Sequence, residues 1–171
     1  MPRGMCYNVH CHRNSGAFGY LFNQAMHDLA QQQREAFEST YGPKILAVAA
    51  EHSTCGDCLM AVSAQETGYG TAPAVNSPYN NLFGIDDVHP ADATHPQPWL
   101  TIHQFTDVDD SIEAFFTRTY AGGRVSGAMD IDTFLSRMED KVPRYNANVD
   151  AFKAAITNRY NEITSDQNQG R

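Results

Sequence analysis

The stretch that most constrains the fold is a short apolar helical segment that runs into a pair of glycines. The segment from Cys55 to Glu66 mixes apolar with small side chains, which is typical of a mostly buried helix. Gly68 and Gly70 follow at once, and glycine readily adopts the left-handed conformation that ends a helix. The fold must therefore place the carboxyl group of Glu66 at the end of a rigid, buried element.

The segment after these glycines, residues 71–106, has a different character. It keeps no helical period and contains several prolines, asparagines and aspartates. An irregular segment of this length inside a compact domain is typically functional, so we expect a long active-site loop. Within it, Trp99–Phe105 alternates apolar with polar residues and predicts one short strand.

Apolar residues recur at helical spacing elsewhere in the chain. Upstream of Cys55 the pattern predicts two helices, separated by a stop at Gly42–Pro43. Beyond residue 106 it predicts three more, the first of them ended by Gly122–Gly123. We therefore expect one mainly α domain over residues 1–171, with an irregular arm at residues 1–16, at most a small β element and a frayed polar tail.

Charge and hydropathy exclude some classes of function. The formal net charge is -8 and no block of basic residues occurs, which argues against nucleic-acid binding. No run of about 18 apolar residues is present, so no membrane span is expected. The first residues lack the apolar core of a secretory signal peptide. We therefore expect that the protein works inside the cell, leaves by a route that needs no such signal, or has had a leader removed.

The four cysteines fall into two local pairs, Cys6 with Cys11 and Cys55 with Cys58. A stapling disulfide is the favoured interpretation, and it would suit an oxidising compartment such as the periplasm. A zinc site with nearby histidines as spare ligands (His10, His12 and His52) is an alternative. A redox-active C-x-x-C at a helix N-terminus is a third, although the βαβ context that it needs is missing.

Glu66 is the candidate catalytic residue. It is the only glutamate between Glu51 and Glu113, and it stands at the C-terminal end of an apolar helix. Burial and the negative end of the helix dipole both raise the pKa of a carboxyl group in such a place. A raised pKa suits a general acid that must carry its proton at neutral pH. The alternative is an ordinary glutamate facing solvent at a helix end.

Polar and aromatic residues around Glu66 are candidates for binding a sugar. Asn80 and Asn81 can donate to and accept from hydroxyl and N-acetyl groups, although turns also favour asparagine. Tyr69 and Phe83 could stack on sugar faces, although core packing is the commoner use of an aromatic ring. The pattern therefore indicates an amide- and ring-lined cleft beside one carboxyl group.

The short sequences around Glu66 and Asn81 resemble the signature of glycoside hydrolase family 73. This family includes flagellar-rod-associated peptidoglycan hydrolases and bacterial N-acetylglucosaminidases. Gln65–Gly70 and Asn81–Ile85 are similar to its E-S/T-G-W/Y-G and N-L-F-G-I/V elements, with Ser63 in place of an alanine. Pro143–Asn146 resembles a P-x-Y-A element whose tyrosine, here Tyr145, faces the cleft. The resemblance covers about residues 43–163.

The resemblance implies a lysozyme-like, α-rich domain that hydrolyses the β-1,4 bond between N-acetylglucosamine and N-acetylmuramic acid in peptidoglycan. Glu66 would protonate the leaving oxygen, and neither a cofactor nor a metal would be needed. The alternative is a non-catalytic module that binds peptidoglycan or assists wall assembly. Since cell wall lies outside the cell, we also expect an antibacterial effector or lysin that acts in the periplasm or wall of a target cell. A protective protein would then plug the cleft.

The second carboxylate of the resembled family is commonly a glutamate in a β-hairpin, and none occurs between Thr67 and Ile112. The nearby carboxylates are Asp86, Asp87 and Asp92. We expect Asp87 or Asp92 to hold the attacking water, unless the N-acetyl group of the substrate assists instead. The alternative is an acidic loop that is merely solvated.

Overall fold

A computed structural model describes residues 15–139 and 148–169 of the chain. Within these residues there are six α-helices and one antiparallel hairpin, so the prediction of a mainly α fold with a small β element is confirmed. By compactness the chain divides into two units, Met1–Gln32 and Gln33–Arg171, and the candidate site lies in the second. The elements are α1 (Ser15–Glu51), α2 (Gly56–Thr67), a 3₁₀ turn (Pro73–Val75), β1 (Asp86–His89), β2 (Trp99–Ile102), α3 (Val108–Arg118), α4 (Tyr120–Val125), α5 (Ile131–Glu139) and α6 (Val149–Gln169).

Helix α1 continues through Gly42 and Pro43, so the predicted stop at this position is wrong. A proline inside a helix removes one backbone donor and crowds the preceding turn, at a cost of about 3 kcal/mol. Phe37, Ile45 and Ala49 are all buried and lie at helical spacing on both sides of the proline, which is itself exposed. Core packing on this continuous face therefore outweighs the local cost.

Helix α2 is the buried central helix that the sequence predicts, and it packs against α6. Its N-cap is Cys55, whose Sγ accepts a hydrogen bond from the backbone N–H of Cys58 and is also joined to the Cys58 sulfur in a disulfide. Two sulfurs bonded to each other are not zinc ligands, which removes this half of the alternative zinc site. Cys6 and Cys11 lie outside the described residues. At the other end, Gly68 is left-handed with φ 57° and ends the helix as predicted.

The pair Gly122–Gly123 does not end a helix, because both residues lie inside α4. The break between α3 and α4 falls at Thr119, whose hydroxyl accepts a hydrogen bond from the N–H of Gly122 at 2.9 Å. A Cβ atom on Gly122 would lie 1.8 Å from the carbonyl oxygen of Phe115. Glycine is therefore required here for the close approach of two helices. The predicted frayed tail is also shorter, since α6 continues to Gln169.

The hairpin joins β1 and β2 in a register that pairs Asp86 with Ile102 and His89 with Trp99. The strand predicted around Trp99 is present, whereas its partner β1 was not predicted, since aspartate is depleted in strands. Successive residues of a strand point to opposite faces. Asp86 therefore points to one face of the hairpin and Asp87 to the other. In the described part of the chain, no helix is long and apolar enough to cross a membrane.

Candidate active site

The side chain of Glu66 lines a cleft of about 300 Å³, and residues from several elements form its walls. It is partly buried in the last turn of α2, and it faces the loop that leads into β1 and the C-terminal end of α3. The motif that follows the helix in sequence is thus also its neighbour in space. The residues lining the cleft are Glu66, Phe83, Gly84, Ile85, Asp86, Arg118 and Thr119.

Gly84 lies close to the carboxyl group of the catalytic candidate, Glu66. Its φ is +60°, in the left-handed region where a side chain is disfavoured. A Cβ atom on it would lie 3.4 Å from Oε2 of Glu66. Glycine therefore lets the loop turn and leaves the face of the Glu66 carboxyl group open to the cleft.

Asn81 orders this loop from inside the protein and has no exposed surface. Its Nδ2 donates to the carbonyl oxygens of Ile85 at 2.8 Å and His103 at 3.1 Å. Its Oδ1 accepts from the N–H groups of Phe83 at 3.3 Å and Ile85 at 3.1 Å. Because both ends of the amide are engaged with backbone, its position does not support the expected contact with a sugar. It supports a role in holding the loop against Glu66.

Asn80 likewise engages the backbone. Its Nδ2 donates to the carbonyl oxygens of Phe105 at 3.0 Å and Thr106 at 3.1 Å, and its own φ is +48°. Turn chemistry, the alternative that the sequence left open, therefore describes Asn80 well. Phe83 is only 2% exposed and packs on the ring of Phe115 at 4.7 Å, so it forms the cleft wall and presents no free ring face.

Tyr69 is not among the residues that line the cleft, and it anchors the glycine turn to α6. Its hydroxyl donates to the Glu162 carboxylate, and the Arg159 guanidinium lies 4.7 Å from the ring centroid. Burial raises the pKa of Tyr69 to about 12, with the hydrogen bond to Glu162 adding to it. The predicted stacking of Tyr69 on a sugar is therefore not supported by its surroundings. Tyr145 lies outside the described residues.

Asp86 is the carboxylate that the structure brings into the cleft with Glu66. It is the first residue of β1, directly after the motif that ends at Ile85. Partial desolvation raises the pKa of Asp86, and the neighbouring charge of Asp87 raises it further. The alternation of side chains along a strand could have separated Asp86 from Asp87 in the sequence. That argument needs strand β1, which the sequence did not predict.

Asp87 and Asp92, the carboxylates preferred from the sequence, do not line the Glu66 cleft. Asp87 points to the other face of the hairpin, where hydrogen bonds from His103 and Arg118 lower its pKa. Asp92 lies in the turn between the strands, where its Oδ1 accepts from Thr94 and from the N–H of His95. These hydrogen bonds lower the pKa of Asp92. Of the three nearby aspartates, Asp86 is the one that lines the Glu66 cleft, and which carboxylate holds the attacking water stays a prediction.

The sequence matches no protein-family model and no curated protein. The fold is similar to the catalytic domain of the autolysin Auto from Listeria monocytogenes, with a TM-score of 0.55 and 10% identity over 83% of this chain and 94% of that one. A peptidoglycan hydrolase from Sphingomonas sp. A1 gives 0.50 and 17%, over 71% and 91%. A type VI secretion system effector–immunity complex from Pseudomonas protegens gives 0.52 and 17%, over 75% and 94%.

These similarities define the class of the fold. The chain has the mainly α, lysozyme-like fold that is found in catalytic domains of peptidoglycan hydrolases. At such low identity the likeness extends to the fold alone, so the chemistry must be argued from the residues of this cleft.

Proposed function

We propose that this protein is a peptidoglycan hydrolase that cleaves the β-1,4 bond between N-acetylglucosamine and N-acetylmuramic acid. The observation that carries the proposal is the pair of carboxyl groups, Glu66 and Asp86, in one cleft of a fold similar to peptidoglycan hydrolases. Glycosidases commonly use two carboxyl groups that flank the scissile bond. The signature-like motifs at Gln65–Gly70 and Asn81–Ile85 build this same cleft, which supports the resemblance noted in the sequence.

Glu66 is the general acid in this proposal. It is partly buried at the end of a rigid helix, and the loop held by Asn81 keeps Gly84 against its carboxyl group. A proton held by Glu66 can pass to the glycosidic oxygen as that bond breaks and the sugar ring gains oxocarbenium character. A rigid setting favours this step because the acid needs no reorientation.

Asp86 is the second carboxylate in this proposal. An ionised carboxylate across the cleft can orient and deprotonate the attacking water, or stabilise positive charge on the sugar ring. Assistance by the N-acetyl group of the substrate stays an alternative, and Asp86 would then hold that group in place. Each of these roles puts Asp86 in contact with the reacting sugar. Asp87 and Asp92 do not line this cleft.

Replacing Asp86 with asparagine is therefore expected to lower the rate of peptidoglycan hydrolysis by about 10²-fold, since one carboxylate would be lost from the reacting centre. Asp92→Asn is the matched control, because it changes the same chemical group in the same hairpin outside the cleft. We expect this control to keep the wild-type rate. Turbidity loss of purified cell walls measures both, and equal rates for the wild type and Asp86→Asn would contradict the role of Asp86.

The non-catalytic alternative predicted from the sequence rested on the absence of a second glutamate. Asp86 supplies a carboxylate in the Glu66 cleft and so weakens that alternative. A binding module would retain purified peptidoglycan without releasing soluble fragments, whereas the proposed enzyme releases them. The same turbidity assay on the wild-type protein therefore decides between these two functions.

The proposed site of action is the periplasm or cell wall of a target cell, reached as an antibacterial effector or lysin. The similarity to a type VI secretion effector–immunity complex supports this proposal. We expect that partner to cover the cleft of Glu66 and Asp86 and so block hydrolysis. Purification of the protein from its producing cells should recover an inhibitor of wall digestion, and recovery of the free enzyme alone would count against the partner.

A further inference from the structure

Asp87, which points to the opposite face of β1 from Asp86, is the centre of a charged cluster. The Asp87 carboxylate accepts hydrogen bonds from Nδ1 of His103 at 2.8 Å and from Nη2 of Arg118 at 3.0 Å. His103 follows β2 directly, and Arg118 is the last residue of α3. One carboxylate of β1 therefore joins both strands of the hairpin to the end of a helix in the body of the domain.

The hairpin depends on such a connection. An isolated two-stranded hairpin is only marginally stable in water, so its position is set by what attaches it to the rest of the domain. Some side-chain contacts of the strands lie inside the hairpin. His89 bonds the Thr101 hydroxyl at 2.8 Å, and its ring stacks on Trp99 at 4.2 Å. These contacts stiffen the hairpin itself. Asn81 holds its base through the backbone of Ile85 and His103, and the Asp87 cluster adds an attachment to α3.

The members of this cluster line two different depressions on the surface. Arg118 lines the cleft that contains Glu66 and Asp86. Asp87 and His103 line another depression of about 530 Å³, together with residues of β2. Because Asp86 and Asp87 are adjacent on β1, a movement of the hairpin that broke the pair would also displace Asp86 relative to Glu66.

We infer that Asp87, Arg118 and His103 form a latch that fixes the hairpin so that Asp86 faces Glu66. Asp87 is a positioning residue in this arrangement, because it lies outside the cleft and acts through the neighbouring Asp86. The catalytic consequence of the latch rests on the proposed function, whereas its effect on the hairpin does not. The two can therefore be tested separately.

Asp87→Ala tests the latch directly. Breaking an ion pair of this kind is expected to speed amide hydrogen exchange in Asp86–His89 and Trp99–Ile102 by about fivefold. Trp99 is the sole tryptophan of the chain, so its fluorescence reports on the hairpin and should become easier to quench with acrylamide. In the hydrolysis assay kcat should fall about tenfold while KM changes less, because misplacement of Asp86 affects the chemical step more than binding.

Three further variants sharpen the test. Asp87→Glu keeps the charge and should restore most of the wild-type exchange rate. The double variant of Asp87→Ala with Arg118→Gln should exchange no faster than Asp87→Ala alone, because both changes break one interaction. Lys44→Gln breaks an exposed ion pair with Asp109 of the same helix α3, and it should leave both the hairpin and kcat unchanged.

Unchanged exchange and unchanged Trp99 quenching in Asp87→Ala would overturn the latch. Faster exchange with an unaltered kcat would overturn its positioning role. If the wild-type protein released no wall fragments at all, the proposed function would fail, and the exchange and fluorescence measurements would still decide whether the latch exists.

Discussion

Glu66→Gln is expected to lower the rate of peptidoglycan hydrolysis by about 10³-fold while the protein stays folded, because glutamine cannot deliver the proton that the leaving oxygen needs. The substitution keeps the size of the side chain, so the loop at Gly84 can still pack against it. Turnover of purified cell walls by the two proteins at equal concentration measures the effect. Circular dichroism and thermal unfolding establish that the variant is folded.

The matched control for this variant is Glu113→Gln. Glu113 is an exposed glutamate of α3 that pairs with His52 at 3.1 Å and does not line the cleft. The same change of charge there should leave the hydrolysis rate within about twofold of the wild type, since an exposed ion pair contributes little to stability. A Glu66→Gln protein as active as this control would contradict the assignment of the general acid.

Asn81→Ala should lower the free energy of unfolding strongly, by about 3–5 kcal/mol. The substitution leaves the N–H groups of Phe83 and Ile85 without their acceptor, and it removes the donor to the carbonyl oxygens of Ile85 and His103. Each buried backbone group left unpaired costs about 1–3 kcal/mol. Urea unfolding of the wild type and the variant gives the difference directly.

Asn80→Ala is the comparison for Asn81→Ala. Asn80 also donates to two backbone carbonyls, but it is only partly buried, so water can replace the amide. We expect its loss to cost about 1 kcal/mol. An equal loss in the free energy of unfolding for the two variants would contradict the role of the buried Asn81 amide in ordering the loop.

The order of helix α2, Glu66 and the glycine turn could be predicted from sequence because it depends on local signals. A buried apolar helix, a left-handed C-cap at Gly68 and the next motif of the resembled family all lie within a short stretch. The mainly α fold followed from helical periodicity in the same way. Where tertiary packing competed with local preference, as at Pro43, packing decided the result.

The distribution of roles among the polar residues could not be predicted in this way. Asparagine is a residue type that often binds ligands. Only the structure shows that Asn81 is buried and that its amide bonds the backbone. Asp86 and Asp87 are adjacent in sequence, and only strand β1 shows that they face different sides. Such distinctions depend on which face of an element is covered, and the covering residues come from distant parts of the chain, such as Arg118.

The central claim is that Glu66 and Asp86 form the catalytic pair of a peptidoglycan glycosidase. Mass spectrometry of the fragments released from purified peptidoglycan tests it most directly. We expect soluble fragments with N-acetylglucosamine at the new reducing end from the wild-type protein, and essentially none from Glu66→Gln. Fragments from cleavage of the peptide stems, or the same glycan fragments from Glu66→Gln at the wild-type rate, would contradict it.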